Sequence, residues 1–262
     1  MAEEFCILTE NDGVATLTMN RPEILNALTG KDFTELVKKL HEAGKSKNTK
    51  VLIITGTGKG FCSGAYVKDL VDMDRLEPKA IENAVRVAQQ ATLAIRNLEK
   101  PVIGAINGVA AGGGADLAWA CDIRIASEEA RFSEVFVKRG LVPDLGGSFF
   151  LPRLVGLGKA FELIYTGNVI SAQEAEKLGL VNKVVPHDQL SSFSFEFARE
   201  LAKGPAVAYR NAKMALNRSL YNDLENQLKL EATLQSECLR TEDCKESAQA
   251  FLEKRPPRFK GY

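Results

Sequence analysis

Two short stretches of this chain place glycine where a main chain comes close to something else. One is Gly60-Phe61-Cys62-Ser63-Gly64-Ala65, and the other is Asn107-Gly108-Val109-Ala110-Ala111-Gly112-Gly113-Gly114-Ala115-Asp116. Three consecutive glycines cost backbone entropy on folding, and the usual compensation is close approach of backbone to a ligand. The second stretch leads into Asp116-Leu117-Ala118-Trp119-Ala120, which reads as a helix, so its glycines fall at a helix N-terminus. Free N–H groups there, together with the helix dipole, favour negative charge. Two such loops on neighbouring strands offer two amides to one oxygen, the geometry that stabilises an enolate or a tetrahedral oxyanion. Tight helix–strand packing is the competing explanation. A phosphate loop is set aside, because neither stretch ends in Gly-Lys followed by Ser or Thr.

Proton transfer beside a carbonyl also needs a base within hydrogen-bond reach, tuned by burial. The carboxylates near the two loops are Asp116, Asp122, Glu134 and Asp144. Asp144 sits in Gly140-Leu141-Val142-Pro143-Asp144-Leu145-Gly146-Gly147, which is also good turn chemistry. Asp122 reads as a structural residue at the start of a strand. The two histidines, His41 on an amphipathic helix and His187 in a loop, are expected at the surface, which argues against a Ser-His-Asp hydrolase. Cys62 and Cys121, with small apolar neighbours, read as packing residues.

The elements that must hold these groups alternate between strand and helix. Residues 14–19 alternate as a strand does; Thr29 with Asp32 caps a helix carrying Phe33, Leu36, Val37 and Leu40 at helical spacing. Residues 51–55, 102–106 and 123–126 are short apolar runs that read as buried strands, and Ile81, Val85, Ala88, Thr92 and Ile95 mark a second helix. Ser171 with Glu174 predicts a capped helix stopping at Gly179, and residues 181–185 a further strand. After Gly204-Pro205 the chain is expected to be helical to its end, with Leu220, Leu224 and Leu228 on one stripe. The class is therefore α/β, with a core over 1–200 and a helical region over 201–262.

In bulk, the chain has 262 residues, 34 basic and 34 acidic, so no general pull toward nucleic acid or an anionic membrane is expected. Lys45, Lys47 and Lys50 read as a solvated turn. The first ten residues resemble neither a signal nor a transit peptide, and no apolar run spans a membrane. Five scattered cysteines fit reduced thiols and a cytoplasmic protein.

The segments Phe61 to Ala65 and Asn107 to Asp116, the later Cys121-Asp122-Ile123-Arg124 and the ending Phe251-Leu252-Glu253-Lys254-Arg255 together resemble the crotonase superfamily, the enoyl-CoA hydratase/isomerase family, over about residues 5–260. The resemblance implies a crotonase fold, a spiral of repeated ββα units with a C-terminal helical trimerisation region. It also implies acyl-CoA substrates of fatty acid metabolism, assembly as a homotrimer or a dimer of trimers, and no metal or other cofactor, coenzyme A being part of the substrate. Oxyanion amides are implied at Ala65 and Gly113, and CoA contacts at Ala65, Tyr66, Val67 and Lys68, with Ala27, Gly113, Phe136 and Lys260 completing the binding set. Tyr66 stands where the family usually has Asp.

The family's hydratases use two glutamates to hold a water. Asp116 matches the first, one methylene shorter, and Phe136 matches the second, which breaks that mechanism. Glu134, two residues away, is expected to face elsewhere. Asp144 matches the working carboxylate of several family isomerases, and Leu141-Val142-Pro143-Asp144 with Leu151-Pro152-Arg153 looks closest to the ring-isomerising enzyme of phenylacetate breakdown. The expectation is an enoyl-CoA isomerase that shifts a Δ3 double bond to Δ2 through Asp144, with Asp116 assisting or shaping the pocket. The alternatives are a hydratase using Asp116 and Asp144, a hydrolase or dehalogenase with Asp144 as nucleophile, and an RNA-binding family member using the helix that carries Lys31, Lys38 and Lys39. The acyl pocket is expected to involve residues 70–80.

Overall fold

A computed structural model describes residues 4–71 and 73–262, so residues 1–3 of the N-terminal segment and Asp72 of the expected acyl-pocket segment lie outside the described residues. The strands are β1 (Cys6–Asn11), β2 (Val14–Met19), β3 (Val51–Gly56), β4 (Gly60–Cys62), β5 (Val102–Ile106), β6 (Val109–Ala111), β7 (Ile123–Ser127), β8 (Arg131–Ser133), β9 (Ile170–Ser171) and β10 (Lys183–Val185). The helices are α1 (Gly30–Lys45), α2 (Val67–Leu70), α3 (Pro78–Asn97), α4 (Gly113–Ala120), α5 (Gly147–Val155), α6 (Leu157–Thr166), α7 (Ala172–Lys177), α8 (Leu190–Ala202), α9 (Ala206–Ser219), α10 (Leu224–Cys238) and α11 (Glu242–Leu252).

One sheet runs β1-β2-β3-β5-β7-β10 and the other β4-β6-β8-β9. The β1–β2 hairpin is antiparallel, and β2, β3, β5, β7 and β10 then pair in parallel. In the smaller sheet β4, β6 and β8 are parallel, with β9 antiparallel at the edge. The pairs β3–β4, β5–β6 and β7–β8 each send their first strand to the large sheet and their second to the small one, and a helix follows each pair. This is the repeated ββα plan.

The continuous apolar runs of β3 and β5 arise because both faces of the large sheet are buried. Leu52, Ile54, Val102 and Ile106 face one core, shared with Leu36 and Leu40 of α1 and Ile95 of α3. Val51, Ile53, Ile103 and Ala105 face a second core closed by Leu190 and Ala198 of α8. Three expected boundaries change. The strand expected at 181 begins at Lys183, because Asn182 instead exchanges bonds with Arg124 through its N–H and its Oδ1. The leucine stripe is broken: Leu220 ends α9 and Leu224 opens α10, which Asp223 caps. The chain is not helical to its end. After Leu252 it forms an extended tail whose Lys260 and Gly261 N–H groups donate to Asp243 at 2.6 and 2.8 Å. No helix among the described residues is long and apolar enough to cross a membrane.

Asp32 ties the start of α1 to the segment before it. Its carboxylate accepts the Thr29 N–H (2.8 Å), the Thr29 hydroxyl (2.7 Å) and two Arg21 donors (2.6 and 3.0 Å). Burial pushes its carboxyl up, but the bonds from Arg21 and Thr29 outweigh that and hold it below the usual range. A depressed folded value means the contribution is present at neutral pH and is lost as pH falls through it. Asp32→Ala is expected to cost ~1–3 kcal/mol, because it orphans partly buried donors on Arg21 and Thr29. The loss should appear as a lowered thermal midpoint at pH 7 that converges with the wild type on acidification.

Candidate active site

The two glycine stretches are pressed together. Gly64 has φ 88°, and a Cβ there would stand 2.8 Å from the Ala111 carbonyl and 3.1 Å from the Gly113 nitrogen. A Cβ on Gly114 would fall 1.9 Å from the Cys62 carbonyl, so neither position accepts a side chain. A parallel bridge joins Leu28 to Ala65: the Leu28 N–H donates to Gly64 O (2.8 Å) and the Tyr66 N–H to Leu28 O (2.9 Å). In a parallel bridge these bonds use the residues on either side, so Ala65 turns its own N–H away from Leu28. Ala65 is exposed, and Gly113 is the first residue of α4, where the N–H has no partner within the helix.

Asp144 directly precedes the residue that packs against this junction. The side chain of the next residue, Leu145, would meet a Cβ on Gly113 at 2.8 Å. Its main chain is clamped from two helices: Gln89 Nε2 of α3 donates to Asp144 O (3.0 Å), Thr92 Oγ1 to Leu145 O (2.7 Å), and the Leu145 N–H donates to Asp116 Oδ2 of α4 (3.0 Å). The Asp144 carboxyl is half-buried and forms no salt bridge among the described residues; burial pushes it above the usual aspartate range. A carboxylate so placed is a better base than one in water. Gln89 and Thr92 were absent from the expected site, although Thr92, a polar residue on an otherwise apolar helical stripe, was a usable signal.

The remaining expected residues divide. Ala27 is buried beside Leu28, while Tyr66, Val67 and Lys68 follow Ala65 directly, with Lys68 Nζ 5.9 Å from the Tyr66 ring centre. Phe136 is buried with its ring edge against Gly112, so it does occupy the neighbourhood of the glycine loops. Lys260 is not brought to them within one chain. The tail beside it packs at Ala206 and Lys50, at the start of β3, whereas Lys68 follows the loop beyond that strand's other end. A cavity of about 730 Å³ borders the Asp144 loop at Gly146 and is walled by Thr92, Phe150, Lys213, Met214 and Tyr221. Helix α9 and the residues just after it thus supply part of its wall, whereas none of the described residues among 70–80 lines it.

Asp116 is turned inward, with 0% exposure, and Glu134 does not face elsewhere: its carboxyl reaches both Trp119 and Asp116. Glu134 precedes a tight turn over Val135–Arg139 rather than an α-helix, which is why helical spacing misplaced it. Asp122 is structural, accepting the Val102 N–H and pairing with Lys213, both at 2.8 Å. His187 Nδ1 meets Ser127 Oγ (2.9 Å) and Glu129 (3.6 Å) through one and the same nitrogen, so no relay of Ser, His and acid is formed. Burial pushes the Cys62 and Cys121 thiols up to about 12, in keeping with packing roles. Lys39 is engaged by Glu4 and Glu42.

A sequence profile described as enoyl-CoA hydratase/isomerase matches residues 9–262. A probable enoyl-CoA hydratase of Rhodobacter capsulatus is 40% identical over 252 residues, covering 96% of each chain. The 1,2-epoxyphenylacetyl-CoA isomerase of Escherichia coli is 38% identical over 259 residues, covering 98% of this chain and 99% of that one. An enoyl-CoA hydratase structure from Bacillus anthracis superposes with a TM-score of 0.91 at 38% identity, covering 98% of this chain and all of that one. The architecture is therefore the crotonase fold, and the protein is an enzyme of acyl-CoA chemistry. More narrowly, the chain belongs to the enoyl-CoA hydratase/isomerase family.

Proposed function

We propose that this enzyme shifts the double bond of a 3-enoyl-CoA to the 2-position. Asp144 removes a proton from the α carbon, the electrons move to the thioester oxygen as a dienolate, and Asp144 returns the same proton at the γ carbon. The Ala65 and Gly113 amides hold the dienolate oxygen, and coenzyme A enters with the substrate, with no further cofactor. The observation that carries this reading is Asp144 itself: a half-buried carboxyl with no salt bridge among the described residues, raised in pKa, its main chain held by Gln89 and the next residue packed at Gly113. Hydratase is the commoner name among similar proteins, and it is the second reading. Against it stand Phe136 in place of a second glutamate and the inward turn of Asp116. Incubating the enzyme with 3-hexenoyl-CoA and 2-hexenoyl-CoA and following product mass tests the choice. Rearrangement without mass gain supports the proposal, and water addition to the 2-enoyl substrate faster than any isomerisation overturns it.

Two further expectations belong to this reading. Lys68 is exposed on the turn after Ala65 and serves the CoA phosphates, so Lys68→Ala should raise KM while kcat stays nearly constant, since such a contact binds ground and transition states alike. A fall in kcat at unchanged KM would contradict that role. The C-terminal region assembles the protein as a trimer or a dimer of trimers. Supporting this, Leu216, Leu224, Leu239, Phe251 and Leu252 are all more than half exposed in the single chain. Light scattering at micromolar concentration should give three or six times 28.6 kDa, and a monomer mass would refute it.

A further inference from the structure

Beneath the Asp144 loop lie two carboxyl groups that the proposed reaction leaves unused. Asp116 has 0% exposure and Glu134 3%. Each has one oxygen satisfied: Asp116 Oδ2 accepts the Leu145 N–H at 3.0 Å, and Glu134 Oε1 accepts the Trp119 Nε1–H at 2.8 Å. The other oxygen of each, Asp116 Oδ1 and Glu134 Oε2, makes no hydrogen bond of ordinary geometry among the described residues, although the Gly147 N–H lies close enough to Asp116 to oppose the rise of its carboxyl. Both point at one place. A Cβ built on Gly147 would meet Asp116 Oδ1 at 2.3 Å and Glu134 Oε2 at 2.9 Å.

We infer that Asp116 and Glu134 act as one group, a carboxyl pair holding a single proton between Asp116 Oδ1 and Glu134 Oε2, and that the pair positions Asp144 through the Leu145 amide. Two facing acceptors in an apolar interior repel each other and leave two lone pairs unsatisfied. One proton between them turns the repulsion into a hydrogen bond and leaves a single negative charge on the pair. That charge strengthens the acceptor at Asp116 Oδ2, which grips the residue next to Asp144. Burial pushes both carboxyls up, and the charge of Glu134 pushes Asp116 up further. The titratable group facing the pair from outside is Asp144, whose charge raises Asp116 as well. From α3 the neighbours of this loop are the neutral Gln89 and Thr92, while the charged Glu82 and Arg86 of that helix pair with each other in solvent. Asp116 is thus a positioning residue, a role that rests on the proposed task of Asp144.

Infrared spectroscopy of the resting protein tests the pair without any substrate. At neutral pH the wild type should show the C=O stretch of a protonated carboxylic acid. That band should persist in Asp144→Asn and vanish in Asp116→Asn and in Glu134→Gln, where an amide N–H replaces the shared proton. Absence of the band from the wild type, or its loss in Asp144→Asn alone, overturns the inference. Because a folded value raised above the unfolded one gives stability that is lost as pH rises from the unfolded value through the folded one, the wild-type thermal midpoint should fall from the ordinary carboxylate range through pH 7 more steeply than that of Glu134→Gln; parallel curves overturn it.

Kinetics with 3-hexenoyl-CoA separate positioning from proton transfer. Asp116→Ala frees the Leu145 amide and should lower kcat about 10- to 100-fold with little change in KM, the scale of a misplaced catalytic group. Asp116→Asn, whose Oδ1 still accepts the Leu145 N–H, should recover most of that loss. An Asn variant as impaired as the Ala variant would make Asp116 a proton carrier and sink the positioning role. If no isomerisation is found at all, the proposed reaction fails, while the infrared and stability results still decide whether the pair exists.

Discussion

Asp144→Asn is expected to lower the isomerisation of 3-hexenoyl-CoA by ~100- to 10,000-fold, the usual loss on removing a positioned general base. Asparagine keeps the shape of the side chain and leaves the main-chain clamp untouched, because Gln89 bonds to the Asp144 carbonyl and Asp116 to the Leu145 N–H. Folding and CoA affinity should therefore be preserved, and the loss should fall on kcat. The pH profile adds a second signature. Burial raises the Asp144 carboxyl above the usual aspartate range, and the base works only when ionised. The wild-type kcat/KM should consequently fall as pH drops through a value above that range, and this limb should be missing from the residual activity of the Asn variant. Steady-state rates across pH 4–9, with CoA binding measured separately, check both points. Near-normal isomerisation by Asp144→Asn would remove Asp144 from the chemistry and return attention to hydration.

How much of this was legible beforehand depended on the length scale of the signal. β3 and β5 are buried on both faces, so their apolar runs stand out, and α1 and α3 repeat hydrophobic residues over several turns. The short strands β4, β6, β8 and β9 have two or three residues each, too few for any periodicity, and two of them lie inside the glycine stretches. β1 was passed over although a signal existed: Asp12-Gly13, both at positive φ, is the two-residue turn of a tight hairpin. The close approach of the two glycine loops and the turn that carries Asp144 were readable because glycine at close approach and a carboxylate in a turn are local features. The contact of Asp116 with Glu134 was not, since it joins a helix to a tight turn across the interior and depends on Gly147 lacking a side chain. Lys260, carried over by resemblance alone, lies on a tail whose N–H groups are held by Asp243, a placement that no local pattern in the sequence signals.

The amide at Gly113 is the other place where a large effect is expected. Gly113→Pro should reduce isomerisation by ~100- to 1,000-fold, the loss typical of removing one oxyanion donor. Proline is tolerated at the first position of a helix, because its fixed φ suits that position and the missing N–H serves no bond within the helix. α4 should therefore survive the change. The confounding factor is steric, since any Cβ at 113 meets Leu145 Cδ1 at 2.8 Å and Leu145 adjoins the base. Gly113→Ala is the control: it introduces the same Cβ but retains the N–H. The end of the leucine side chain is flexible enough to yield, so the Ala variant should lose much less activity than the Pro variant. The ratio of the two then reports on the amide, and the loss should appear in kcat, because the dienolate carries charge that the ground-state thioester lacks. Equal losses in Ala and Pro variants would mean that packing against Leu145, rather than charge stabilisation by the Gly113 N–H, explains why glycine stands at this position.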